Sequence, residues 1–197
     1  MEKRHRIFIA INLPGDIKKQ LFAYSEKWPE LPAKWIVKDN LHITLVFLGD
    51  LTDQELGDAC ITVKEVAQKH SSFSLNINKV LYGPPQKPAK GGFAGQAPRF
   101  IWAEGEKSKE LSDLKNDLEK SLLEKIKFAP ESRGFTPHIT LSRISAFGFK
   151  AIDPEERPEI NENIDLIFTA ESIEVMESVL KRAGPQYTVI ESHALGE

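Results

Sequence analysis

Apolar residues along this chain fall into two rhythms, short alternating or continuous runs typical of strands and three longer stretches with helical spacing. Arg6 to Leu13 (RIFIAINL) reads as a strand stopped by Pro14-Gly15. Pro14 suits the first turn of a helix to about Trp28, with Ile17, Leu21 and Tyr24 on one face, ended by Pro29 and Pro32. Trp35 to Val37 is a short strand and Leu41 to Leu48 (LHITLVFL) a stronger one. Thr52 and Glu55 form a capping box for a helix to about Gln68. Phe73, Leu75 and Ile77 then alternate as in a half-buried strand. The Gly/Pro-rich stretch 82–98 fits no packed element and reads as a long loop between two halves. Beyond it come a strand at Arg99 to Glu104 and a helix from Ser108 to about Ile126, carrying Leu111, Leu114, Leu118 and Leu122 at spacings of three and four. A strand at Pro137 to Arg143 follows, then an acidic, loop-like stretch over 146–163. A hairpin joins Glu171 to Leu180 with Gln186 to Ser192 across Ala183-Gly184-Pro185.

The order repeats. Strand, helix and a strand containing His-Ile-Thr-Leu occur from Arg6 and again from Arg99, with the histidine 36 and 39 residues after the start. Two such units suggest pseudo-twofold symmetry, with equivalent residues facing each other across a cleft.

Composition narrows the class. The 197 residues suffice for one compact domain or two small lobes, and 41% hydrophobic with 28% charged residues is ordinary for a soluble globular chain. No apolar run is long enough to span a bilayer. The single cysteine, Cys60, permits no internal disulfide, so a reduced, cytoplasmic setting is expected. A net charge of −3 argues against wrapping long polyanions. Nucleic-acid contact, if made, is local: a short end or a small nucleotide.

The repeated tetrapeptide, His42 to Leu45 and His138 to Leu141, carries the candidate chemistry. Five histidines allow coincidence at only roughly a few in a thousand. In a strand His42 and Thr44 share one face while Ile43 and Leu45 take the other, and His138 and Thr140 do the same against Ile139 and Leu141. Two imidazoles and two hydroxyls then converge on a shared groove. Hydroxyls suit the non-bridging oxygens of a phosphate. Two imidazoles titrating near pH 6.5 suit the paired proton transfers of phosphodiester cleavage, with entering and leaving oxygens in line.

These paired His-x-Thr motifs resemble those of the 2H phosphoesterase superfamily. The flanking segments, RIFIAINLP at 6–14, NLHITLVFLG at 40–49, FTPHITLSR at 135–143 and SIEVMESVLKRAGP at 172–185, resemble the bacterial and archaeal RNA 2′,3′-cyclic phosphodiesterases, historically called 2′-5′ RNA ligases. The resemblance runs over nearly the whole chain. It implies an α+β fold of two pseudo-symmetric lobes, each an antiparallel sheet with helices outside, forming a single domain over 1–197 with the active-site groove between the lobes. It implies RNA ends carrying a 2′,3′-cyclic phosphate as substrate, opened to a 2′-phosphate, with 2′-5′ linkages in tRNA fragments as a side activity of some members. It further implies no cofactor and no metal, His42 as general acid, His138 as base, and Thr44 and Thr140 on the phosphate oxygens. Arg143 would add positive charge, though strict alternation points it away from His138 unless the strand bulges.

Other residues divide between chemistry and packing. Trp35 and Phe135 flank the motifs as candidate base-stacking residues, with packing the alternative. Phe47 falls on the Ile43 and Leu45 face and is expected in the core. Lys87, Lys90, Arg99 and Arg133 are candidates for a basic rim on RNA phosphates. Cys60 is expected buried, and His5, His70 and His193 are given no role. No HExxH, CxxC or His-x-His supports a zinc site. The rival readings are a non-catalytic nucleotide- or RNA-binding protein on the same fold, an ATP-independent ligase, and a small cyclic-nucleotide phosphodiesterase. A monomer with no membrane contact is expected.

Overall fold

The computed structural model describes residues 3–84, 97–131, 134–182 and 184–196. Lys87, Lys90 and Arg133, and the stretch 85–96 of the Gly/Pro-rich segment, lie outside these.

The N-terminal strand β1 (His5–Asn12) turns Ile7, Ile9 and Ile11 into the main core and Phe8 and Ala10 to the other face. Helix α1 (Gly15–Phe22) follows Pro14 and continues as a 3-10 turn to Glu26. A short strand β2 (Ala33–Trp35) leads to β3 (His42–Leu51). Helix α2 (Asp53–Ala67) begins at the expected capping box: the Glu55 N–H donates to Thr52 Oγ1 and the Thr52 N–H to Glu55 Oε2. Strand β4 (Phe73–Gly83) and β5 (Phe100–Gly105) precede α3 (Lys109–Leu123), whose four expected leucines are fully buried. Then come β6 (His138–Ile144), a short α4 (Ala146–Ala151), and β7 (Asn161–Ala170), β8 (Ser172–Lys181) and β9 (Gly184–Ala194).

Among the described residues the strands form one antiparallel sheet in the order β7-β4-β5-β6-β3-β1-β8-β9, with β2 added to β6. Counted outward from its centre, β3-β1-β8-β9 mirrors β6-β5-β4-β7. These are the two α+β lobes. They meet along β3 and β6 through a single register pair, Ile43 with Ile139. Helices α2 and α3 lie side by side and pack on the sheet's core face. His5 is buried between Glu177 and Asp53, at 2.7 and 2.9 Å, and ties β1 to β8 and to the start of α2. No helix among the described residues is long and apolar enough to cross a membrane.

The lobes are not the two halves of the sequence. Strands β4 and β5 belong to one lobe and pair antiparallel as far as Gly83 opposite Phe100, with Tyr82 and Gly83 of the expected loop inside β4, so the lobes do not divide at 82–98. The connection between lobes is α2, and the terminal hairpin β8–β9 returns to complete the first lobe. Two further expectations are corrected. The acidic stretch 146–163 contains α4 and the start of β7. Strand β7 sits at the sheet edge, where Asn161, Asn163 and Asp165 face water, and only Ile164, Leu166, Phe168 and Ala170 betray its inner row. The strand expected at 35–37 is Ala33–Trp35: the Ile36 N–H still donates to the Leu141 carbonyl, but beyond that point β6 pairs with β3 at Ile139 and the chain leaves in a 3-10 turn at Lys38–Asn40.

Candidate active site in the central groove

A groove of about 550 Å³ opens over the seam between β3 and β6. Both motif histidines and both threonines line it. Extending the Ile43–Ile139 pairing by one residue sets His42 opposite Thr140 and Thr44 opposite His138. The two imidazoles therefore stand on diagonal corners of a small rectangle. Such diagonal neighbours in a sheet have Cα atoms on the order of 7–8 Å apart, and splaying of the strands beyond the single pair widens this. That is room for one tetrahedral anion between the rings.

Each ring is oriented in the same way. The His42 Nδ1–H donates to the Asn40 carbonyl at 2.7 Å, and the His138 Nδ1–H to the Thr136 carbonyl at 2.8 Å. A carbonyl only accepts, so both neutral rings carry their proton on Nδ1 and keep Nε2 basic. His42 Nε2 accepts from the Thr44 hydroxyl at 2.9 Å. His5 and His70, by contrast, are held by carboxylates.

The environments break the symmetry. Burial pushes the His42 imidazole down to about 4. The Asn40 carbonyl works against this, while Lys18 and His138 add to it. Lys18 is itself a buried lysine on α1, with its Nζ donating to the Asp39 carbonyl at 2.9 Å, directly behind the turn that presents Asn40 to His42. Burial also lowers His138 below its ordinary value, but the Thr136 carbonyl and the Glu131 and Glu104 carboxylates favour its charged form. The Trp102 ring stacks on His138 with centroids 3.7 Å apart, and a cation there is further favoured by the ring face. Gly83 makes this stack possible: a Cβ at that position would come within 2.1 Å of the Trp102 ring.

Both motif strands bulge at the same place. Thr44 pairs with Ala10 and Val46 with Ile9, leaving Leu45 as an extra residue; Thr140 pairs with Trp102 and Ser142 with Ile101, leaving Leu141 extra. Leu45 and Val46 are both buried, as are Leu141 and Ser142, so the alternation changes phase. The fifth residue after each histidine is thereby returned to the groove. For Arg143 this meets the condition set by its spacing: it lines the groove, with its guanidinium 5.8 Å from the Phe100 ring. For Phe47 it overturns the expected core position. Phe47 is 59% exposed and lines the groove.

Phe135 lines the groove, half-buried against the core, with Lys115 Nζ 5.3 Å from its ring. Trp35 does not belong to the groove lining. It lies opposite fully buried Ser142, which shares its face of the sheet, and it stacks on Trp28 at 6.4 Å. Phe100, Trp102, Phe47, Asn40 and Tyr187 are groove residues that reading strands in isolation overlooks. For Phe47 a signal was available, since Arg143 stands at the same distance from its own histidine. Among the described residues no three of His, Cys, Asp and Glu come together as a metal-holding group.

Comparisons with known proteins agree with this architecture. The family model described as LigT like Phosphoesterase matches residues 11–93. The RNA 2′,3′-cyclic phosphodiesterase of Aquifex aeolicus is 26% identical over 175 residues, covering 85% of this chain and 84% of that protein. The enzyme of the same name from Methanocaldococcus jannaschii is 28% identical over 191 residues, covering 94% and 98%. A crystal structure of a Thermus thermophilus protein superposes with a TM-score of 0.77 at 26% identity, covering 98% and 99% of the two chains.

Proposed function

Because this chain belongs to the LigT-like phosphoesterase family, we propose that it hydrolyses RNA-terminal 2′,3′-cyclic phosphates to 2′-phosphomonoesters with His42 and His138 as the acid–base pair. The observation that carries this reading is the diagonal placement of two equivalently tethered imidazoles across one seam. One Nε2 takes a proton from water as its oxygen bonds to phosphorus. The bond from phosphorus to the 3′-oxygen breaks on the opposite side, and the other imidazolium gives that oxygen its proton. In this reading the Thr44 hydroxyl turns from His42 Nε2 when substrate binds, and it and the Thr140 hydroxyl donate to the non-bridging oxygens. The direct test is to incubate the protein, with chelator and without ATP, with an RNA ending in 2′,3′-cyclic phosphate. A 2′-monoester product is expected; an unreacted end, or a 3′-monoester, would reject the reaction or its polarity.

The pH profile follows from the two lowered imidazoles. The active form holds one proton on the pair. For kcat/KM, which reports free enzyme, the acid limb lies near the His42 value of about 4 and the alkaline limb below 6.5, where His138 gives up its proton. Bound phosphodiester anion favours imidazolium, so the kcat bell shifts to higher pH. An alkaline limb of kcat/KM above pH 8 would contradict this. For stability, both folded values are depressed, so the unfolded chain takes up these protons first. The fold therefore loses this contribution as pH falls from 6.5 toward 4.

A second reading concerns only the order of roles. The resemblance makes His42 the acid, whereas the burial of His42 with Lys18 beside it, and the Thr136 carbonyl, Glu131 and Glu104 around His138, favour His138 as the ring that holds the shared proton. In that order His138 is the acid and His42 the base. With a phosphodiester whose leaving group is p-nitrophenolate, which departs without protonation, loss of the acid is largely tolerated and loss of the base is not. His138→Ala is then expected to retain more of its activity on that substrate than His42→Ala; the reverse would restore the order implied by resemblance.

A further inference from the structure

The strands beside the two motif histidines do not carry the same residue. On β1 the residue opposite His42 is Asn12, a neutral side chain whose carbonyl oxygen accepts from the Leu13 N–H at 3.1 Å. On β5 the residue opposite His138 is Glu104. Directly opposite residues on antiparallel strands share a face, with Cβ atoms about 4.5–5.5 Å apart, so a carboxylate stands next to the second imidazole. The pairing is pinned on both sides. Ala103 pairs with Ile139, and the Gly105 N–H donates to the Pro137 carbonyl at 2.9 Å. In the first lobe the carboxylate of Glu174 lies one strand further out, on β8. It is already held by the Asn12 N–H at 3.1 Å and by the Ser172 and Ser192 hydroxyls at 2.6 and 3.1 Å.

Glu104 is half-buried and stands outside the groove lining. Lys79 on β4 lies opposite it in turn, so Lys79, Glu104 and His138 form a row across three strands. The other charged or titratable groups that face His138 are Glu131, ahead of β6, and His42 across the seam. Glu131 is exposed, where water and salt screen its charge, whereas Glu104 is fixed in place by the strand ladder. Glu119, paired with Lys115, and Arg99 and Arg143, both close to Phe100, complete the charged residues of the described groove lining.

Resting on the phosphodiesterase reading above, we propose that Glu104 is a positioning residue for His138: its carboxylate stands beside the ring and steadies the imidazolium that His138 becomes during phosphodiester cleavage. The support is independent of which ring is the acid. As base, His138 gains a positive charge when it takes the proton of water. As acid, it carries that charge until the proton passes to the 3′-oxygen. Glu104 acts through His138 alone, because it lies outside the surface that meets the substrate.

Glu104→Gln keeps the shape of the side chain and removes its charge. The alkaline limb of kcat/KM, which belongs to His138, is expected to move down by about half a pH unit or more, since an imidazolium deprived of its anion gives up its proton more readily. Turnover should fall by about three- to tenfold, with KM held within about twofold. Glu104→Asp, which keeps the charge, is expected to restore most of the limb. NMR titration of the His138 ring in the same variants reads the proton without any turnover. A limb and a titration that both stay in place in folded Glu104→Gln would overturn the proposal, whatever happens to kcat. If that variant does not fold, Lys79→Gln tests the row from its other end. Loss of that cation is expected to move the limb up, and an unmoved or lowered limb would overturn the proposal equally. Absence of turnover by the wild-type protein would remove the phosphodiesterase reading, while the titration still decides whether Glu104 steadies the ring.

Discussion

Replacing either His42 or His138 by alanine is expected to slow turnover of a terminal 2′,3′-cyclic phosphate on the order of 10²–10⁴-fold without unfolding the protein. The size follows from the chemistry. Water is a weak nucleophile and a ribose alkoxide a poor leaving group, so each proton transfer lowers a separate part of the barrier. Folding should survive because both rings face the groove, with the core occupied by their neighbours Ile43 and Ile139. The double variant is expected to fall little below the worse single one, since the pair acts as a unit. Single-turnover rates on one RNA end, with circular dichroism as the control for folding, make the measurement. Near-wild-type rates from either folded variant would end the two-imidazole mechanism.

The second large effect concerns the seam itself. Ile139 and Ile43 are fully buried and form the one register pair that joins β3 to β6 among the described residues. Ile139→Ala removes three carbons from that junction, and a buried substitution of this kind costs about 2–5 kcal/mol. The expected observation is a lower urea midpoint with an unchanged slope. Because Ile139 lies between His138 and Thr140, the variant should also lose turnover at temperatures where it is still folded, as the two corners of the site drift apart. A loss of stability below about 1 kcal/mol would mean that the junction is loosely packed and that something else sets the spacing of the rings.

These expectations rest partly on local sequence and partly on contacts it does not encode. The capping box at Thr52 and Glu55, the leucine ladder of α3 and the run RIFIAINL are local: each is set by propensity and by periodicities of 3.6 or 2, and each appears in the structure where the pattern puts it. The doubled His-Ile-Thr-Leu likewise fixed which side chains share a face near the seam. Edge strand β7 was obscured because half of its residues face water and its first residues are polar and acidic. Trp35 illustrates a different limit. Whether it stacks on a base or on Trp28 depends on which strand it pairs with, and that partner, β6, is more than a hundred residues away.

What the sequence alone determined is the pair of strands and the chemistry they carry, since alternation within a strand needs no partner. What only the tertiary structure decided is everything after the bulges. An extra residue exists only relative to the strand across from it, so Leu45 and Leu141 look ordinary until β1 and β5 are paired beside them. Those two slips turn Phe47 and Arg143 into the groove. Packing between distant elements likewise buries His42 beside Lys18 and lays Trp102 on His138, making two identical tetrapeptides physically unequal.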